Sequence, residues 1–347
     1  MNPRIQSACA PVVAGLLSAA LTAALSPAPH GPQSSTTTSF RLDALEQLLA
    51  GVSSEDGQWI LRGLNLQVTS GAPAGTRNGL GNLIVGYAEG SSGTGSHNLV
   101  LGRETSFDAE NCVVGGRATE STGDNALVLG QGQVGSARGA ILLTGQGCEA
   151  SGESACVLTG FSSVASGASS SVQSGTGGLA SGVSSIVAGG VDSQATGEIA
   201  TVLGGRSAVA SGSFSTVIAG ASSQAQGTAS TVITGQDNVA IGYQSVVAGG
   251  SQNRTTLVGD GSVVLGGVNN QCAGSMTVIV GGVRGEATGV RAVVVGGDAN
   301  TASGFEAVVG GGRSNVASGT QSVCSGGIDR WVSAVTGWVA GSLFESD

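Results

Sequence analysis

Charge, aromatic rings and histidine are all scarce in this 347-residue chain. Charged residues make up 10% and aromatics 3%. The few charges are unbalanced, with a formal net charge of −9 and a pI near 4.6. That argues against nucleic acid as a partner, because its binders need a basic surface. The two histidines are His30 and His97. His30 lies in a Pro/Ser/Thr stretch, and His97 precedes a strand as a turn residue. Nothing singles out a serine and an acid to complete a triad with it. Neither the cysteine spacing nor the histidine count supports a zinc site. The aspartates are scattered, so no calcium ladder forms. Gly130-x-Gly132-x-x-Gly135 matches a dinucleotide fingerprint, but among 62 glycines and without a following helix the match carries nothing. No catalytic residue, cofactor or metal is expected. Mean hydropathy is +0.25, yet no apolar run after the N-terminal leader is long enough to span a bilayer.

What the chain has instead is a period. A short apolar strand ending in glycine recurs at a regular interval from Gly86 to Gly326. The expected turn glycines include Gly205, Gly220, Gly235, Gly249, Gly266, Gly281, Gly296 and Gly311. A second glycine follows roughly midway to the next, as at Gly212, Gly227, Gly289 and Gly304. A fixed period of this kind means stacked repeats. Three positions before the first glycine the chain places Val202, Val217, Val232, Val278 and Val293. Two before it stand Ile218, Ile233 and Ile279, with Gln173 and Cys324 as departures. β-Branched residues dominate, so these segments read as strands.

Neighbouring side chains of a strand point to opposite faces. Two adjacent apolar positions therefore offer both faces for burial. One face lines the inside of the coil; the other needs a partner. Left alone, it would put a stripe of Val, Ile and Leu in water along the whole rod, a larger patch than monomers expose. Self-association through the stripe is the expected solution. A coil of ~15 residues holds two short strands and two tight turns, and about 17 coils at ~4.8 Å each make a rod near ~80 Å. The second strand is rich in Ser, Ala and Thr, as in Ser162–Ser166, which suits a flat, narrow coil. The expected fold is an all-β parallel β-solenoid that self-associates, with terminal caps.

Units such as Ser213-Phe214-Ser215-Thr216-Val217-Ile218-Ala219-Gly220-Ala221-Ser222-Ser223-Gln224-Ala225-Gln226-Gly227 resemble the head repeat of YadA-like trimeric autotransporter adhesins. Asn238-Val239-Ala240-Ile241-Gly242 is close to its core words, and Asn82–Gly86 and Asn98–Gly102 are looser matches. The resemblance spans roughly residues 80–327. It implies a left-handed parallel β-roll, a homotrimer, and adhesion to extracellular matrix or cell surfaces. The family anchors itself through a stalk and a C-terminal membrane barrel. Here residues 328–347 end in Glu345-Ser346-Asp347, and a barrel strand alone takes ~9–11 residues. No integral membrane anchor is expected at the C-terminus.

Five segments follow. Residues 1–26 carry Arg4 and an Ala/Leu-rich run to Leu25 and read as a secretory signal peptide, so the expected location is extracellular or at the cell surface. Residues 27–39 form a linker. Residues 40–81 hold a short N-terminal helix on Leu42, Leu45, Leu48 and Leu49, stopped by Gly51, and then entry strands. The helix is either a cap or a coiled-coil clasp. Residues 82–327 are the repeats, and residues 328–347 a C-terminal cap. Trp59, Trp331 and Trp338 all lie outside the repeats and are expected to cap the solenoid ends, with an aromatic ligand platform as the alternative.

Of six cysteines, Cys9 is in the leader. The rest are odd in number and leave at least one unpaired thiol. Cys112, Cys156 and Cys324 read as small buried hydrophobes, and Cys148 and Cys156 occupy different coil positions. Asn253-Arg254-Thr255 is an isolated glycosylation sequon. The leading functional expectation is a non-catalytic secreted or surface fibre with an adhesive or structural role. The alternatives are an ice-, mineral- or glycan-binding solenoid and, last, a β-helix enzyme. Thr201, Thr216, Thr231 and Thr277 share the fourth position before the glycine, and Ser and Ala interrupt that column. The short period of hexapeptide acyltransferases is absent, as are the convergent acids and bases of a lyase.

Overall fold

A computed structural model describes residues 52–55, 58–62, 65–73, 76–86 and 90–341, together with Asp43. The leader, the linker and the leucine run 42–51 lie outside these residues, apart from Asp43. Two compact units divide at Gln67. In the first, Val52–Glu55 (β1) pairs antiparallel with Gln58–Leu61 (β2). Trp59 sits in this hairpin and is largely exposed.

The second unit is a parallel β-solenoid. Each coil supplies one short strand to each of two sheets. The first sheet stacks 18 strands, from Leu83–Val85 to Trp338–Val339; the second stacks 16, from Ser106–Phe107 to Trp331–Val332. Every strand pairs in parallel with its counterpart one coil on. Thr201–Val202 meets Thr216–Val217, and Val209–Ala210 meets Gln224–Ala225. A third ladder of single bridges runs along one edge from Gln131 to Ile328. Coil length is not constant. The early coils, as in Val100↔Val114↔Val128, are a single residue shorter than those from Leu142↔Val157 onward. The coil spanning Val247↔Val264 is longer than its neighbours.

Packing follows from what each strand turns inward. The first sheet contributes a column of valines, among them Val202, Val217 and Val232, all fully buried. The second contributes a column of alanines, among them Ala195, Ala210, Ala225 and Ala240, also fully buried. These are the valine sheet and the alanine sheet. A large residue on one side and a small one on the other suit a narrow, close-packed coil. Burying each valine is worth ~1.5–3 kcal/mol relative to leaving it exposed.

The turn register holds at Gly204–Gly205 but departs from the expected one at Gly189–Gly190 and in the C-terminal coils from Gly249–Gly250 onward. Gly205, Gly220 and Gly235 have φ of +114°, +122° and +105°. From there the positive φ falls on the second glycine of each pair: Gly282, Gly297 and Gly312 have φ of +90°, +86° and +85°. Gly281, Gly296 and Gly311 are therefore not the turn glycines, and a Cβ on any of them meets open space. The core position shifts with them. Ile279 and Val294 are the fully buried residues, while Val278 and Val293 are half-buried on the outer surface. Ile218 and Ile233 likewise lie outside the coil, next to the buried Val217 and Val232. The later glycines serve another purpose. At Gly212 an added Cβ would overlap the Gly227 carbonyl of the next coil. The adjacent turn places non-glycine residues, Ile199 and Phe214 among them, in the left-handed region.

Buried polar groups form a ladder of their own. Asn238, Asn253, Asn270, Asn300 and Asn315 occupy one inward corner of successive coils, interrupted by Gly285. The Asn253 amide donates to the carbonyls of Gly249 and Gly267, each at 2.9 Å. Its Oδ1 accepts from the Asn270 backbone N–H at 3.0 Å. Each side chain thus satisfies its own turn and the next coil, as buried amides must.

The repeat does not stop at Gly327. Trp331–Val332 and Trp338–Val339 pair in parallel with Val316–Ala317 and Val323–Cys324. Val332 enters the core, but both tryptophans point out, Trp331 74% and Trp338 68% exposed. They do not seal the solenoid end. The inward slots are narrow, and an indole fits only on the outside of a strand.

Candidate functional surface

Repetition turns each outward position into a column. On the valine sheet, two columns flank the buried valines: Thr201 and Leu203 beside Val202, Thr216 and Ile218 beside Val217, Val278 and Val280 beside Ile279, Val293 and Val295 beside Val294. Leu203, Ile218, Leu265, Val280 and Val295 are exposed. The result is one long, flat apolar face.

Thr277, however, is fully buried, so it does not continue the column of Thr201, Thr216 and Thr231. A threonine array on this face ends after three coils. Cys272 replaces an alanine of the inner column and Cys324 a valine, both fully buried, while Cys156 lies half-buried on the outer face. All five described cysteines are free. Burial pushes the thiols of Cys156 and Cys324 up, and that of Cys272 up to about 11.

The alanine sheet presents a different exterior. One column carries small hydroxyl residues: Ser166, Ser181, Thr196 and Ser211. The adjacent column changes character along the rod. It is Val164, Leu179, Gln194 and Val209 at first, then Arg254, Gln271 and Glu286, all three exposed. Around them lies an open groove of about 570 Å³ lined by Asp237, Gln252, Arg254, Asn269, Gln271 and Glu286, among others. Arg284 at its rim is held by Asp298 in a two-pronged pair at 2.7 and 2.9 Å. The long coil that follows Arg254 also bulges at its other turn, where Leu257 is 79% exposed.

The tryptophans continue both exteriors. The Trp331 Nε1–H donates to Ser318 Oγ at 2.9 Å and the Trp338 Nε1–H to Ser325 Oγ at 2.8 Å. Each indole is thereby tied to the coil before it, on opposite faces of the solenoid.

Among the described residues no group of His, Cys, Asp and Glu is placed to hold a metal. His97 is an exposed turn residue with φ of +61°. Asn253 of the sequon is fully buried with its amide engaged, so the folded chain cannot present it for glycosylation. Asp108 is held below the usual carboxylate range by the backbone and hydroxyl of Thr94, a turn-stabilising contact between coils.

The asparagine ladder and the glycine register are signals that composition and strand pattern pass over. The step from Gly220 to Gly235, taken once more, reaches Gly250 rather than Gly249, and the same step from Asn238 reaches Asn253. Comparison with protein-family models finds no match, and comparison with curated proteins finds no significant relative.

Proposed function

We propose that the chain is a non-catalytic, secreted or surface-associated fibre that works as a homotrimer, similar in plan to the head of YadA-like adhesins. The observation that carries this reading is the apolar face of the valine sheet. It extends over many coils, broken at Ser171 and Gln173, with Leu203, Ile218, Leu265, Val280 and Val295 exposed on it. Patches of that extent mark contact surfaces. Three copies that bring these faces together around a common axis would bury it along the full length. The alanine faces and the turns would remain outside, available to extracellular-matrix or cell-surface ligands. The apolar leader supports export.

The test is the mass of the purified chain by light scattering. Three chain masses are expected. Ile218→Asp together with Val280→Asp should convert the trimer to a folded monomer, because both side chains lie outside the coil. A wild-type monomer, or a trimer indifferent to both substitutions, overturns the reading.

A further inference from the structure

We propose that the alanine face between Arg254 and Trp331 is a binding track for an extended, neutral oligosaccharide lying along the solenoid axis. The proposal deepens the binding role given above by naming a ligand class and a site. It needs only that the alanine face be free, which holds for a monomer and for a trimer built on the valine face.

Three observations converge on this strip. First, the outward column here is in register: Arg254↔Gln271, Gln271↔Glu286, Glu286↔Thr301, Thr301↔Val316 and Val316↔Trp331 are successive parallel partners. Five steps at ~4.8 Å span about 24 Å. A β-1,4-linked chain in its extended form advances by nearly the same step per sugar, so successive rings can meet successive coils.

Second, one end of the strip is a groove, of about 570 Å³. Its lining combines guanidinium, amide and carboxylate side chains, from Arg254, Gln252, Asn269, Gln271, Asp237 and Glu286. These planar groups carry donors and acceptors in one plane, which suits the neighbouring hydroxyls of a sugar ring. Arg284 is occupied by Asp298, whereas Arg254 has no carboxylate partner among the described residues. The free formal charges, Arg254 against Asp237 and Glu286, leave a net −1. That favours a neutral glycan over a sulfated or uronic one.

Third, the other end is an exposed indole that is already fixed. Trp331 is 74% exposed, and its N–H is held by Ser318. A tryptophan this open, on a flat face rather than in a core, leaves its π surface available to the C–H edge of a sugar ring. Ser303 and Ser318 border it in the adjacent hydroxyl column. Stacking on a ring already in place costs little side-chain entropy.

The experiment is calorimetric titration of the full-length chain with chitohexaose and cellohexaose, neutral β-1,4 hexamers. At least one should bind saturably. Trp331→Ala should weaken it by about tenfold or more, the order expected for one lost stacking ring, and Arg254→Ala by several-fold. Trp338→Ala, an equally exposed indole on the opposite face, should leave the affinity unchanged. All three positions are outward, and circular dichroism verifies that each variant keeps the wild-type fold. Failure of both hexamers to bind overturns the proposal. So does binding that survives both Trp331→Ala and Arg254→Ala, or that Trp338→Ala abolishes. Binding of a triple-helical peptide that depends on Trp331, without hexamer binding, overturns the glycan assignment in favour of a protein ligand. The light-scattering mass decides the trimer separately, so the two readings can fail independently.

Discussion

Gly281 and Gly282 are neighbours in a Gly-Gly pair, and alanine at each should have opposite consequences. Gly282 has φ of +90°, and a Cβ there would lie 2.5 Å from the Gly297 carbonyl oxygen and 2.9 Å from its nitrogen. A left-handed conformation costs an L-residue ~1–2 kcal/mol. Overpacking against a neighbour that cannot swing away costs a further ~1–3 kcal/mol. Gly297 is backbone of the next coil, so it can move only by opening the stack. Gly282→Ala should therefore destabilise by ~2–5 kcal/mol. Gly281 has no left-handed φ, and no atom lies within 4 Å of its would-be Cβ. Gly281→Ala should be neutral or stabilise by up to ~1 kcal/mol, because it restricts the unfolded chain. Guanidinium unfolding followed by circular dichroism gives the ranking. Solenoid stability is a sum over neighbouring coils, so limited proteolysis should also map the Gly282→Ala defect to the coils containing Val278–Ile279 and Val293–Val294. If Gly281→Ala proves the more damaging of the two, the register assigned to the C-terminal coils is wrong.

Val217→Asp should block folding of its coil and expose it to proteases, since it forfeits ~1.5–3 kcal/mol of burial and leaves a charge unpaired in an apolar column; a protease-resistant variant would contradict the inward placement. Asn253→Ala removes two donors and one acceptor from the ladder, and at ~1–3 kcal/mol for each orphaned buried group it should lower the denaturant midpoint by more than Gly281→Ala does; an unchanged midpoint would mean the ladder adds nothing. Cys272, with its thiol raised to about 11 by burial, should stay unmodified by iodoacetamide at mildly alkaline pH in the native chain and react once denatured, whereas the half-buried Cys156 should label first; mass mapping of the labelled peptides reads both, and equal native rates would refute the assignment.

Much of the fold was legible because the repeat is a one-dimensional signal. A β-branched pair before a glycine, returned once per coil, can only stack, and the alternation of strand side chains already demands one face inside and one outside. The ends were harder. Trp331 and Trp338 look like breaks in the repeat because they are large, yet their positions keep the ladder register, and outward slots tolerate any size. The asparagine column was equally visible in spacing, but asparagine reads as a turn residue until its amide is seen bridging two coils. The surface strip from Arg254 to Trp331 was not legible at all: its members lie a full coil apart and differ in type, so nothing in the pattern joins them.

The amino-acid sequence by itself determined that this chain is a parallel stack of short coils with a valine-rich strand in each, because period and side-chain alternation leave no other way to bury those residues. Which residue of each apolar pair faces inward was decided only by the tertiary structure. A Gly-Gly pair leaves the register ambiguous by a single position, and a slip of that size turns every side chain of a strand to the other face. Only the stacking of one coil's carbonyl on the next removes that ambiguity, by admitting a Cβ at Gly281 and refusing one at Gly282.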